Sequence, residues 1–304
     1  MARSTGPQGG GTLDAPVLVT PVTLRAWGLP EPAGSKYDRG QVVVVGGACK
    51  TPGAAMLAGL AALRMGAGRL SLAVADSVAP HVAVAVPESG VYGLVESADG
   101  SITGEGAATL LDKEVSRANG LLIGPGLDHA EGTIRLIEEL TPLVDDEVCV
   151  VLDAFGVTVL PDVSAACRGR LAGRMLLTPN TNELAKLIGA DEIEDDEVAE
   201  AAYDVAQRYD ATVTCNSWVV SGSEVWRITT GDTGLATSGS GDVLAGAVAG
   251  LVTRGADGPQ AMVWAAYAHA AAGDGLATKF GRVGFLAGEL PAQLPLVLRS
   301  LRGD

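Results

Sequence analysis

Residues Gly239-Ser240-Gly241-Asp242 bring two glycines, a hydroxyl and a carboxylate to the mouth of an apolar run that continues as "VLAGAVAGLV". The apolar spacing of that run suits a buried helix, so the four residues stand at its N-terminus. There the first backbone N–H groups have no partner within the helix, and the helix dipole adds positive potential. Gly239 and Gly241 let the backbone approach a ligand closely, and Thr233, Thr237 and Ser238 add hydroxyls nearby. The chemistry this suits is phosphate binding, with Asp242 beside the bound group. The helix end favours the carboxylate and a neighbouring phosphate opposes it, which suits a base that accepts a proton from a substrate hydroxyl. Phosphoryl transfer uses such a pairing of anion hole and acid. A helix cap worth about 1 kcal/mol is the plainer role for Asp242. A cap alone does not call for this density of small residues.

The elements that must hold this turn alternate. "QVVVVGG" (41–47) is a β-branched run ending in glycine, the pattern of a parallel strand buried on both faces. An Ala/Leu helix follows over 53–68, then the strand "RLSLAVA". "GLLIGPGL" (120–127) repeats the strand-then-glycine pattern, and "VCVVLDAFGV" and "RMLLTPNTNELAKLIG" supply two more strands with following helices. After a helix over 199–210, "ATVTCNSWVV" and "SEVWRIT" together read as a hairpin. This order predicts an α/β fold, three layers with a mostly parallel central sheet, and ligands off the carboxyl ends of the strands. Residues 1–16 read as a disordered tail and 17–304 as a single domain.

Composition narrows the partners. With 21 basic and 36 acidic residues the net charge is −15, which repels nucleic acid and anionic membranes but still permits phosphate in a local pocket of backbone amides. Cys49, Cys149, Cys167 and Cys215 form no CxxC pair, so no metal site is expected and reduced thiols are. The N-terminus lacks the apolar segment of a signal peptide, and a cytoplasmic location is expected. Neither "VVVVGGACKTPGAA" nor "GPGLDH" completes a dinucleotide fingerprint, and a Walker A loop is missing.

The order of these segments, with "GLATSGSGDVLAGAVAGL", "LLIGPGL", "LLTPNTNEL" and "GRVGFLAGELPAQLP", resembles the ADP-dependent NAD(P)H-hydrate dehydratases of the ribokinase-like superfamily, over about residues 20 to 300. The resemblance implies a repair reaction. The S form of hydrated NADH or NADPH is phosphorylated by ADP on its added hydroxyl, then eliminates phosphate, with AMP as the second product. It implies Asp242 as the base and Ser238, Gly239, Ser240, Gly241 and His269 on the nucleotide side. Asn216, Ser217, Trp218, Val219 and Val220 would form the nucleotide loop, and Ala54, Gly126 and Asn180 would lie against the hydrate. Mg²⁺ and ADP (or ATP) are the implied cofactors, and a homo-oligomer is expected.

The chain departs from that pattern on the ligand side. Asn216 and Ser217 stand where a lysine and a glycine are usual, Asn180 where a histidine is, and Phe155 where the second aspartate of an Asp-Ala-Asp run is. Losing the lysine removes a charge-assisted hydrogen bond worth roughly 1.5–3 kcal/mol. Two other readings follow: an ATP-dependent kinase of a small alcohol, or a nucleotide-binding homologue with an inactive site. His269 is weighed as a helix-packing residue as well, Asp274 as a cap or part of the adenine pocket, and Trp218 and Trp226 as core.

Overall fold

A computed structural model describes residues 9–31, 34–231 and 233–302. Its strands are β1 (Val17–Val19), β2 (Gln41–Val45), β3 (Arg69–Ala75), β4 (Ser89–Leu94), β5 (Gly120–Ile123), β6 (Val150–Leu152), β7 (Met175–Leu177), β8 (Ala211–Cys215), β9 (Trp218–Ser221) and β10 (Glu224–Ile228). The helices are α1 (Pro21–Trp27), α2 (Pro52–Arg64), α3 (Ala79–Ala85), α4 (Ala107–Val115), α5 (Ala130–Leu140), α6 (Phe155–Thr158), α7 (Ala165–Leu171), α8 (Thr181–Ile188), α9 (Val198–Tyr209), α10 (Ser240–Thr253), α11 (Gly258–Phe280) and α12 (Leu290–Arg302).

All ten strands form one sheet in the order β1-β10-β9-β8-β7-β6-β5-β2-β3-β4. Only β9 runs against its neighbours, so the sheet is mostly parallel, as the alternating pattern predicts. Period two along each strand divides its side chains between two cores. Val42 and Val44 join one core with residues of α2, α10 and α11, while Val43 and Val45 join the other with residues of α4, α5 and α9. Helices thus cover both faces. Among the described residues no helix is long and apolar enough to cross a membrane.

Two expectations change. Residues 211–228 are three strands rather than a two-armed hairpin, because Asn216-Ser217 turns the chain between β8 and β9. Asn216 takes φ +51°, a left-handed conformation that asparagine tolerates better than most residues. Residues 9–16, read as tail, lie along the sheet. Gly11 bridges Val225 through two backbone hydrogen bonds of 3.0 Å, and the Gly10 N–H donates to the Glu224 carboxylate at 2.8 Å. The segment and β1 cover what would otherwise be an open edge at β10. Residues 1–8 fall outside the described part.

Candidate active site

Strand order reverses at β2, with β3 on one side and β5 on the other. In parallel sheets such a reversal opens a crevice off the strand carboxyl ends. Here the loops after β2 and β5 lace it together. The Gly47 N–H donates to the Pro125 carbonyl (2.8 Å), the Ala48 N–H to the Gly126 carbonyl (2.9 Å), and the Thr51 hydroxyl to the same Gly126 carbonyl (2.8 Å). Gly126 has φ +70°, and a Cβ on it would lie 2.5 Å from the Thr51 carbonyl oxygen and 2.9 Å from the Ala54 Cβ. Ala54 and Gly126, taken from sequence as substrate residues, therefore touch one another at the crevice wall.

Helices α2 and α10 lie side by side and run the same way. A Cβ on Gly246 would meet the Ala58 carbonyl at 2.0 Å, and one on Gly250 the Ala62 carbonyl at 2.4 Å, so the contact advances four residues on each helix together. Both N-termini open at the crevice, and their dipoles add. Gly239 caps α10 in a left-handed conformation (φ +92°) without any side-chain cap. Ser238 and Gly241 are exposed, whereas Ser240 is buried. His269 of α11, 7% exposed, stands behind this turn with Nε2 at 3.0 Å from both the hydroxyl and the carbonyl oxygen of Ser240. Burial pushes its pKa down to about 4, so it is neutral at physiological pH. Its ring braces the turn from within.

Asp242 projects from the first turn of α10, half-buried. Burial, and then the charge of Glu183, raise its carboxyl to about 6. The opposed influences expected from sequence were the helix dipole and a phosphate; in the structure desolvation and a second carboxylate dominate. A third acid lies beneath. Asp153, at the end of β6, is buried and accepts the Thr178 hydroxyl at 2.7 Å. Burial and the Asp242 charge push it up to about 8. Glu183, at the start of α8, is itself raised by burial. Sequence reading gave neither Asp153 nor Glu183 a role, because the three acids come from β6, α8 and α10 and meet only in the fold. The one signal available was position: Asp153 directly follows β6, and Glu183 opens the helix after the turn that follows β7. Among the described residues no three His, Cys, Asp or Glu side chains converge as a metal site.

Comparison with known proteins bears on this arrangement. A sequence model of the NAD(P)H-hydrate dehydratase family matches residues 42–296. The chain belongs to the NAD(P)H-hydrate dehydratase family. It is 42% identical to the ADP-dependent (S)-NAD(P)H-hydrate dehydratase of Xanthomonas campestris, over 93% of this chain and 96% of that one. It is 36% identical to a bifunctional NAD(P)H-hydrate repair enzyme of Moorella thermoacetica, of which it spans 52%. The fold matches that of the ADP/ATP-dependent NAD(P)H-hydrate dehydratase of Bacillus subtilis co-crystallised with ATP/Mg²⁺, with a TM-score of 0.76, 24% identity, and coverage of 94% of this chain and 98% of that one. A ribokinase-like protein of Enterococcus faecalis gives 0.79 at 21% identity, covering 95% and 97%.

In this member of the NAD(P)H-hydrate dehydratase family the loop after β8 is a two-residue turn. Of the residues expected to contact nucleotide there, Asn216 is exposed and Ser217 half-buried at the tip of a tight turn on the ligand edge. Val219 and Val220 are 0% exposed and fill opposite cores, so their side chains line nothing, as alternation on a strand covered on both faces requires. Trp218 packs against the second core with the Arg227 guanidinium over its ring at 5.1 Å. Trp226 is core and stacks on Trp27 at 5.7 Å. Asn180 caps α8, its side chain accepting from the Glu183 N–H (2.9 Å) while the Glu183 carboxylate accepts from the Asn180 N–H (2.9 Å). Asp274 accepts from the Thr230 hydroxyl and, at 2.9 Å, from the Gly231 N–H, holding the chain that leads into the glycine turn.

Proposed function

We propose that the protein dehydrates (6S)-NADHX and NADPHX with ADP, restoring NADH and NADPH and releasing AMP and phosphate. The observation that carries this reading is the half-buried Asp242 at the shared entrance of two parallel helices. The backbone amides of Gly239 and Gly241 would hold the polyphosphate, the Ser240 N–H being engaged by the Thr237 carbonyl at 3.1 Å, and Ala54, Gly126 and Asn180 would face the hydrate. Asp242 accepts the proton of the hydroxyl at C6 as that oxygen takes the phosphoryl group from ADP and AMP leaves. With a pKa of about 6 the carboxylate is ionised at pH 7 yet near enough to neutrality to receive the proton. The C6–O bond then breaks with the phosphate, and loss of the C5 proton forms the double bond of the dihydronicotinamide.

No protein donor set for Mg²⁺ is at hand among the described residues, so the ion would be held chiefly by the phosphates. Mg²⁺, a cytoplasmic location and a homo-oligomer belong to the proposal. The test is incubation with the hydrate and ADP, following recovery of the reduced-nicotinamide absorbance; recovery no greater than that of Asp242→Ala ends the reading. A second reading, a nucleotide binder without turnover, is favoured by the tight turn at Asn216-Ser217, which presents no cation. Calorimetric ADP binding with every turnover assay silent would select it.

A further inference from the structure

A cavity of about 230 Å³ opens at the other end of the sheet from the crevice, among the first residues of β3 and β4. The length of β3, roughly 20 Å, lies between the two. Its floor is polar where a sheet covered on both faces calls for apolar side chains. Gln41 and Ser71 are each 4% exposed, and both donate to Oε2 of Glu114 from α4, the Ser71 hydroxyl at 3.2 Å. The Tyr92 hydroxyl from β4 donates to the same carboxylate. Burial by itself raises the Glu114 carboxyl, but these three hydrogen bonds and the more distant Arg69 charge hold it below its ordinary value, so it is ionised at neutral pH. A carboxylate offers about four acceptor positions, and neutral donors fill three of them here. Among the described residues Glu114 forms no ion pair. A half-buried anion therefore faces the cavity with one acceptor position open and no counter-ion from the chain.

Two cations line the same cavity but are held elsewhere. The Lys36 ammonium and the Arg69 guanidinium lie over the Tyr37 ring, 5.3 and 5.7 Å from its centroid. Gly68 fixes this rim: a Cβ on it would fall 2.0 Å from the Lys36 carbonyl oxygen, so the segment carrying Lys36 and Tyr37 rests directly on the start of β3. Lys36 and Arg69 are exposed, as is Glu88, the remaining charged lining residue. We propose that this cavity binds a free α-amino acid, its ammonium group on the Glu114 carboxylate and its carboxylate toward Lys36 and Arg69. The volume lies below the roughly 300–1,000 Å³ of pockets that take drug-sized ligands, so a small metabolite fits and a nucleotide does not. Glu114 repels a simple anion, and the two rim cations repel a simple amine; a zwitterion answers both ends. The site is separate from the crevice and stands whatever the crevice binds.

The experiment is calorimetric titration of the full chain with glycine, L-lysine and L-glutamate in turn, and with ethylamine and propionate as the two halves of the ligand. At least one amino acid is expected to bind with a stoichiometry of one, and more tightly than either half. Glu114→Gln keeps the shape and removes the charge, and should weaken that binding about tenfold or more through loss of a hydrogen bond to a charged group. Gly90→Val fills the cavity instead. A Cβ on Gly90 would make ordinary contact with the Tyr92 ring at 3.8 Å, and a β-branched residue suits this edge strand, so the variant should fold and lose binding altogether. It serves if Glu114→Gln does not fold. No binding of any of the three amino acids overturns the proposal, as does ethylamine or propionate binding as tightly as they do. Binding unchanged in either folded variant overturns it as well.

Discussion

Helices α2 and α10 meet along a seam whose two ends use glycine for opposite reasons. Inside, Gly246 and Gly250 sit where any Cβ would strike a carbonyl of α2, at 2.0 and 2.4 Å. At the entrance, Gly241 and Gly53 are exposed, have no left-handed φ, and a Cβ on either would meet nothing within 4 Å. A glycine inside a helix costs about 1 kcal/mol relative to alanine. The interior pair is repaid by the close approach of two helices. The entrance pair has no such compensation within the chain, and the proposed nucleotide site would supply one. The same residue type therefore separates packing from binding once its surroundings are known.

Variants along the seam can break this contrast. The largest effect is expected from Gly246→Val, which forces a side chain into the α2 backbone and should cost at least about 3 kcal/mol, read as a collapse of the melting temperature. Equal stability to the wild type would mean the seam is looser than described. Next, Asp242→Ala should lower turnover by about 10²–10⁴-fold in the hydrate assay.

Asp242→Asn separates activity from stability at the same residue. Folding raises this carboxyl from about 3.9 to about 6, so its stability contribution is full below 3.9 and is lost as pH rises through 6. At pH 7 the variant should be more stable than the wild type by on the order of 1–3 kcal/mol, with the difference vanishing near pH 4. His269 works in the other sense: its depressed value withdraws stability as pH falls from about 6.5 through 4, equally in both proteins. The difference between the two denaturation curves therefore reports Asp242 together with Asp153, whose carboxyl the Asp242 charge helps to raise.

A smaller change sharpens the comparison. Gly241→Ala should raise stability by about 0.5–1 kcal/mol. It should also weaken ADP roughly tenfold, or about 1.4 kcal/mol. If ADP binding is untouched, the open space at residue 241 has no ligand reason. Smallest of all, Asn216→Lys should cost about 1 kcal/mol of stability through its left-handed backbone, measured by urea denaturation.

Much of this was legible before the fold was seen. Gly239 to Asp242 announce a helix entrance in sequence because caps and apolar spacing are local properties. The β2–α2 unit is equally local, and so is the sheet's parallel character. What sequence could not supply was adjacency. Asp153, Glu183 and Asp242 are separated by 30 and 59 positions and become one electrostatic cluster only when β6, α8 and α10 converge. Val219 and Val220 entered the expected nucleotide loop because the family's motif continues through them, although alternation in a doubly covered strand buries both. The turn at Asn216-Ser217 is short enough to hide between two apolar runs, which is why three strands read as two.

The edge at β10 has a bearing on how the molecule is made. β1 lies parallel to β10, and the Thr229 hydroxyl reaches the Val19 carbonyl across 210 positions of chain. β1 precedes every other strand of the sheet in the chain and can be seated only after β10 has followed. Until then it must wait unpaired, so biogenesis of this enzyme should be slowed, and exposed to misassociation, by the closing of so long a loop.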